Sequence, residues 1–401
     1  MRNININNRM IKSKFLFLVL SVIIVGCQSS KQKQQAGNLP VINISKSYPK
    51  KEIRLQDIAD IEYVPLETTD DVLLGDLPTL THVSDKYIIA YNLGEGTIFV
   101  FNRNGTIFSY FDRRGQGGEE YIGITAGGIK FDEKNEEIFV LSNQNSRIFV
   151  YSVSGEYKRT LQYSSDLAIT EAYLFDDETL LVYDDFRPYR DVNSTKPYML
   201  MSKKDGSIVP ELAIHLPVRY ADRVYIDLGN NMTTSARIST PNRRYFGKDH
   251  VIADISSDTI YLLSQNRELN PILVHTPSVH SSDPGMVWTT PFITDKFILL
   301  HITALDYIAA EKGAIVPSKT LIYEFETGEI SEVSFVDVNR GMRQWIPSFF
   351  PATAKNMDAR CFQVPNLKAA YEEKLLKGEL EKLVATLDED DNPVVMIVKF
   401  K

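Results

Sequence analysis

One β-strand signature repeats five times along this chain and constrains the fold more than any other feature. Ile98-Phe99-Val100-Phe101 is followed by Gly105, and Ile148-Phe149-Val150-Tyr151 by Gly155. Tyr198-Met199-Leu200-Met201 precedes Gly206, Ile260-Tyr261-Leu262-Leu263 follows, and Leu321-Ile322-Tyr323 precedes Gly328. The steps are about 50 residues twice and then about 61 twice, the spacing of four-stranded propeller blades. Each core has an apolar run upstream: Tyr87–Tyr91, Glu137–Leu141, Leu180–Tyr183, Val251–Ile255 and Phe297–Ile302. Each has another after the turn: Thr106–Phe111, Tyr157–Leu161, Ile208–Ile214, Pro271–His275 and Glu329–Phe335. Short β-branched and aromatic runs punctuated by Asn and Gly form antiparallel strands joined by tight turns.

A sixth blade can be assembled from the two ends. Asn392–Phe400 is a nearly continuous apolar run, and Val41–Ile44 and Ile61–Leu66 are β-like. Pairing the ends closes the ring and removes exposed sheet edges. The expected fold is therefore all-β: a six-bladed β-propeller over residues 41–401, closed by pairing of N- and C-terminal strands. A β-sandwich or solenoid is the alternative, and the chain is long for a single sandwich. Leu367–Leu387 is the one helical pattern, with Ala369, Ala370, Leu375, Leu376, Leu380, Leu383 and Val384 recurring at three and four. It is expected to cap the propeller and lead into the closing strand.

The start of the chain reads differently. Arg2, Arg9, Lys12 and Lys14 precede the apolar run Phe15–Val25, which is too short for a membrane span and suits a signal peptide. It ends Ile24-Val25-Gly26-Cys27, which resembles a bacterial lipobox. The resemblance implies cleavage after residue 26 and a lipid on Cys27. Two or more acyl chains anchor a protein stably where one does not. Residues 27–40 are polar and read as a flexible tether. Lys31 and Lys33 stand where surface-displayed lipoproteins of Bacteroidota resemble one another in carrying acids. The expected location is thus the outer membrane, lipid-anchored and facing the periplasm.

Charge excludes one partner class. The sequence holds 44 basic and 52 acidic side chains. Removing the four basic residues of the signal peptide brings the net charge to about −12, which disfavours nucleic acid. Cys361 is the only other cysteine, so no disulfide is expected within the mature chain.

The C-terminal stretches Gly341-Met342-Arg343-Gln344-Trp345-Ile346-Pro347-Ser348-Phe349 and Leu387–Val398 carry a wider resemblance. So do Asp60–Thr68 and Gly115–Tyr121. Together they resemble six-bladed β-propeller lipoproteins of Bacteroidota, related to NHL-type propellers and largely uncharacterised. That resemblance implies a binding platform, and less often a propeller-type hydrolase or lyase. It carries little about ligand, because propellers host many activities.

No motif assigns catalysis. The six histidines, His82, His215, His250, His275, His280 and His301, show no metal-ligand spacing. Gly115–Glu120 contains G-x-G-G but opens no helix, so it lacks the dipole of a phosphate loop. Asp388–Asp391 is cut by Pro393 and reads as a turn, not a calcium loop. No metal and no cofactor is expected. The binding candidates are loop residues near one channel mouth: Arg113, Arg114, Glu119 and Tyr121 around the Gly-rich crossing, and Trp288, Arg343 and Trp345 beside Pro or Gly. Asp184–Asp191 is a second polar-aromatic loop. The function expected is a binding or scaffold propeller for a glycan, peptide or protein partner; the alternative is a periplasmic hydrolase or lyase.

Overall fold

The computed structural model describes residues 39–75, 78–124, 127–187, 193–209, 212–229, 232–238, 243–281, 283–347 and 355–401. Leu39–Lys401 form one compact unit. The expected signal peptide, Cys27 and residues 28–38 of the expected tether lie outside the described residues.

The five repeated cores are the third strands of five blades: Ile98–Asn102, Arg147–Ser152, Tyr198–Ser202, Thr259–Leu263 and Ser318–Glu324. The upstream runs are second strands and the downstream runs fourth strands, each antiparallel to its neighbour. The first strands had no counterpart among the sequence runs: Pro78–Val83, Ile129–Asp132, Ile169–Leu174, Arg243–Phe246 and Met286–Ile293. The sixth blade joins Met357–Phe362 and Val394–Phe400 to Ala59–Pro65 from the other end of the chain. Val395 lies opposite Val64 and Phe400 opposite Ala59. The molecule is a six-bladed propeller closed by its terminal strands.

The N-terminal segment does more than close the ring. Val41–Asn43, expected in the sixth blade, instead pairs in parallel with Leu269–Thr276 of the fourth. Lys50–Arg54 then pairs in parallel with Ile330–Asp337 of the fifth. These additions cover two outer edges whose N–H and C=O groups would otherwise be open. Ile42 and Ile44 are buried with Leu273, Trp288 and Leu321, so the strap is also a piece of core.

The helical pattern divides into two helices, Val364–Glu372 and Gly378–Ala385. Lys374 at φ +58° turns the chain between them, and the Leu375 amide closes the first helix on the Ala370 carbonyl. Leu367, Ala370, Leu380 and Val384 pack on Val394 and Phe362, covering the sixth blade as expected. Two further short helices occur, Leu55–Ile58 and Tyr307–Glu311.

Blades are keyed to one another through the third-to-fourth turns. Gly105 adopts φ +91°, and a Cβ there would lie 2.1 Å from the Pro65 carbonyl oxygen of the sixth blade. Gly206, at φ +85°, would place a Cβ 2.7 Å from the Gln162 backbone of the second blade. Only glycine meets both conditions, a left-handed backbone and a neighbour at contact distance.

Because strands alternate in direction, first-to-second and third-to-fourth turns collect at one end of the ring. This short-turn face is laced by ion pairs: Lys134 with Asp177 at 2.5 Å, Lys355 with Asp295 at 2.7 Å, and Lys86 with Glu136. The opposite, long-loop face carries the blade crossings, the two C-terminal helices and an inserted hairpin, Arg223–Gly229 with Met232–Arg237. It exposes Leu73, Leu93, Ile122, Val218, Tyr225, Met232, Ile308 and Ile315, the last 94% accessible.

Candidate functional site

The long-loop face holds a cleft of about 530 Å³. Its walls come from three elements. The loop after strand Thr179–Asp184 supplies Phe186. The crossing into the fourth blade and its hairpin supply Arg219, Tyr220, Arg223 and Tyr225. The turn Tyr307–Glu311 supplies Tyr307 and is capped by the Asp306 carboxylate, which accepts from the Ala309 amide at 2.9 Å. An aromatic cleft with a few convergent polar groups is the usual form of a small-ligand or peptide site.

The polar groups are held rigidly. The Arg219 Nη2 donates to the Tyr183 hydroxyl at 2.9 Å and the Asp184 carbonyl at 2.8 Å. Its guanidinium lies over the rings of Tyr183 and Phe186, at 5.3 and 5.8 Å. Arg223 is fixed by Asp222 at 2.9 Å, and Arg237 reaches the same carboxylate at 3.4 Å. Tyr307 donates to the Ala221 carbonyl at 3.0 Å. Tyr220 stacks on His280 and shares a hydrogen bond with its Nδ1 at 3.1 Å. Beneath the loop, Asp185 is only 4% exposed. Burial, and then the negative charge of Asp222, push its carboxyl up to about 6.

Two other concavities are larger and chemically quieter. A groove of about 890 Å³ runs along the seam of the fifth and sixth blades, where Phe400 and Ala59 are not joined by a turn. Its rim charges are partly neutralised, Lys51 by Glu324 and Asp295 by Lys355. A depression of about 670 Å³ at the short-turn mouth is floored by the ion pair of Lys203 and Asp132 at 2.8 Å. The groove has one aromatic side chain, Phe297, and in the depression Phe131 and Phe175 are buried, whereas Tyr225 of the smaller cleft is exposed.

The residues singled out in the sequence fall into two groups. Arg113, Arg114, Glu119 and Arg343 are exposed on the long-loop face. Arg113 donates through Nε to the Gly155 carbonyl at 3.0 Å, tying the first blade to the second. Arg114 reaches Asp112 at 3.2 Å and the Gly94 carbonyl at 3.1 Å. Tyr121 is buried; its hydroxyl donates to Gly96 and accepts from the Arg113 amide. In the Gly-rich crossing, the Glu120 carboxylate accepts from the Gly117 amide at 2.8 Å, so the chain supplies its own anion there.

Trp288 and Trp345 correct the loop expectation. Both lie in strands and are fully buried. Trp288 meets His275 edge-to-face at 4.8 Å, and Trp345 meets Phe292 and Phe335 edge-to-face. Neither presents a ring face for stacking on a ligand. His275 and His280 stay apart in role, one buried against Pro277 and Trp288 and one exposed and stacked on Tyr220. Cys361 is half-buried against the core shared by the sixth and first blades, and burial pushes its thiol up to about 12.

Tyr220, Arg223, Tyr225 and Tyr307 were missed. Their only sequence signal is length: the step from the third core to the fourth grows by roughly a dozen residues, which the hairpin accounts for.

No protein with a curated description matches the chain. Among solved structures, an exported protein described as such only provisionally, from Bacteroides fragilis NCTC 9343, is similar in fold. It is 14% identical, with a TM-score of 0.60, covering 90% of this chain and 99% of that one. A member of the DUF4221 family from Bacteroides vulgatus ATCC 8482 is 11% identical, with a TM-score of 0.46, covering 86% and 97%. A family model described as a domain of unknown function, DUF4934, matches residues 39–399. With nearly the whole chain matched, this protein belongs to the DUF4934 family.

Proposed function

We propose that this chain is a non-enzymatic binding propeller of the cell envelope. Residues 1–26 export it, a lipid on Cys27 anchors it at the outer membrane facing the periplasm, and residues 27–40 tether the ring. The provisional description of its Bacteroides fragilis neighbour as exported agrees with this reading. The long-loop face presents the aromatic cleft to a glycan or peptide ligand or to a protein partner.

The observation that carries the reading is the composition of that cleft. Phe186, Tyr220, Tyr225 and Tyr307 converge, while the neighbouring guanidiniums are already fixed by protein acceptors. Such a wall stacks on a sugar ring or a peptide side chain and needs no rearrangement to do so. The test is a glycan and peptide screen of the detergent-solubilised full chain, repeated with Tyr225→Ala and Phe186→Ala. The reading expects a hit whose affinity falls at least about tenfold in each variant. Undiminished binding in both would move the site elsewhere.

A further inference from the structure

Three guanidiniums converge on the long-loop side where the fifth blade hands over to the sixth. Arg340 lies in the turn after Ile330–Asp337, Arg343 opens the short strand Arg343–Trp345, and Arg360 lies in Met357–Phe362. The strand register sets Arg343 opposite Asp337. Arg360 donates through Nη1 to the Ile346 carbonyl at 2.6 Å, immediately beyond that strand. The Arg340 guanidinium sits 3.9 Å above the Phe362 ring. Phe362 and Arg360 are two residues apart on one strand, so they share a side of it.

None of the three has an ion-pair partner among the described residues. Arg103, Arg114, Arg159 and Arg223 each have one. A buried carboxylate, Asp337, lies beside them with one oxygen engaged elsewhere. Its Oδ1 accepts from Gln56 at 2.6 Å and from the Asn339 amide at 3.0 Å, and burial raises its pKa. Burial lowers the pKa of Arg340; Asp337 opposes this, while Arg360 and Arg343 add to it through repulsion. The following stretch of sequence, residues 348–354, contains no acid. A cluster of three guanidiniums beside a single carboxylate stands out in a chain of net charge −8.

Guanidiniums are planar, permanently charged and matched to two-oxygen recognition. We infer that Arg340, Arg343 and Arg360 form a binding site for an oxyanion group, a carboxylate or a phosphate, carried by a ligand at this edge of the long-loop face. The bound anion relieves the repulsion among the three cations. Arg340 stays anchored on Phe362 and Arg360 on Ile346, so the exposed Arg343 is the member free to close on the ligand.

The test is calorimetric titration of the detergent-solubilised full chain with citrate and with tripolyphosphate at low ionic strength. Saturable binding by at least one probe is expected, weakening as salt is added. Arg343→Gln should reduce affinity at least about tenfold with an unchanged melting temperature, since the side chain is exposed and has no ion-pair partner among the described residues. Arg360→Gln should reduce affinity by a similar factor while giving up its hydrogen bond to Ile346, and Arg343→Lys should retain part of the binding. Citrate binding alone assigns carboxylate, and tripolyphosphate binding alone assigns phosphate. Absence of saturable binding by either probe, or equal affinity in Arg343→Gln and wild type, overturns the site.

Discussion

The two ends of the ring are made by the same strands and finished in opposite ways. On the short-turn face, turns of a few residues key into the preceding blade, and charges are paired across blades, as in Lys203–Asp132 and Lys134–Asp177. On the long-loop face, the connections lengthen into a hairpin, two helices and long crossings, and apolar side chains stand in solvent. A propeller needs one end to hold its blades in register. The other end is then free to vary, which is where binding loops concentrate. Substitutions at the two ends should therefore separate into effects on stability and effects on binding.

The largest effect is expected at a blade key. Gly105→Val places a branched side chain at φ +91° and against the Pro65 carbonyl. It should destabilise the fold by more than about 3 kcal/mol in denaturant titration, or prevent folding. A well-folded Gly105→Val protein would show that the turn is not a key.

Next comes the buried ion pair. Lys203→Ala leaves the Asp132 carboxylate with Asn135 as its remaining side-chain donor, at 3.0 Å. A loss of about 3 kcal/mol is expected, and the double variant Lys203→Met with Asp132→Leu should recover much of it. Burial alone would raise the Asp132 pKa, yet the hydrogen bonds from Lys203 and Asn135 hold it below its ordinary 3.8. Its contribution is therefore present above that pH and lost as pH falls below it. Lys203→Ala should flatten that acid limb of the stability profile.

Asp185 on the other face has the opposite sign. Its carboxyl is raised to about 6, so the folded state holds a proton that the unfolded chain has released. Stability should decline as pH rises from about 4 to about 6 and stay reduced above. Asp185→Asn should remove that decline and gain about 1–3 kcal/mol at neutral pH. A profile unchanged by Asp185→Asn would place the titration elsewhere.

The smallest stability effect belongs to the cleft wall. Tyr225→Ala, at an exposed hairpin position, should shift unfolding by no more than about 0.5 kcal/mol while weakening ligand binding. A larger stability loss with intact binding would assign Tyr225 to the scaffold.

What the sequence disclosed follows the same division. Second and third strands are runs of β-branched and aromatic residues because both their faces are covered by neighbouring blades, while the half-exposed fourth strands were marked by their place after the turn. The first strands escaped notice because they mix polar residues into short segments. Pro78–Val83 carries Thr79, Thr81 and His82, and Ile129–Asp132 carries Lys130 and Asp132. Several of them are also bulged, as at Leu80–His82 and Thr289–Phe292, which breaks the alternation. Lys50–Arg54 was invisible for a related reason: Lys-Lys-Glu-Ile-Arg pairs through its backbone on an outer edge and buries little. The break between the C-terminal helices rests on a left-handed lysine, which no composition rule marks. Pro and Gly near the tryptophans suggested loops, but Pro291 lies inside a bulged strand and Trp345 is held by Phe292, Phe335 and Phe400. Of the cleft, the sequence disclosed the Asp184–Arg187 loop and not its partners, because the hairpin and Tyr307 are brought to it only by ring closure.

Hydrogen–deuterium exchange of the full chain, with and without a ligand from the screen, tests the division between the faces most directly. Added protection should fall in residues 184–187, 219–229 and 305–316, and leave the turns at 133–136, 176–178 and 203–206 unchanged. Protection confined to those short turns would contradict the account and make the ion-paired face the functional one.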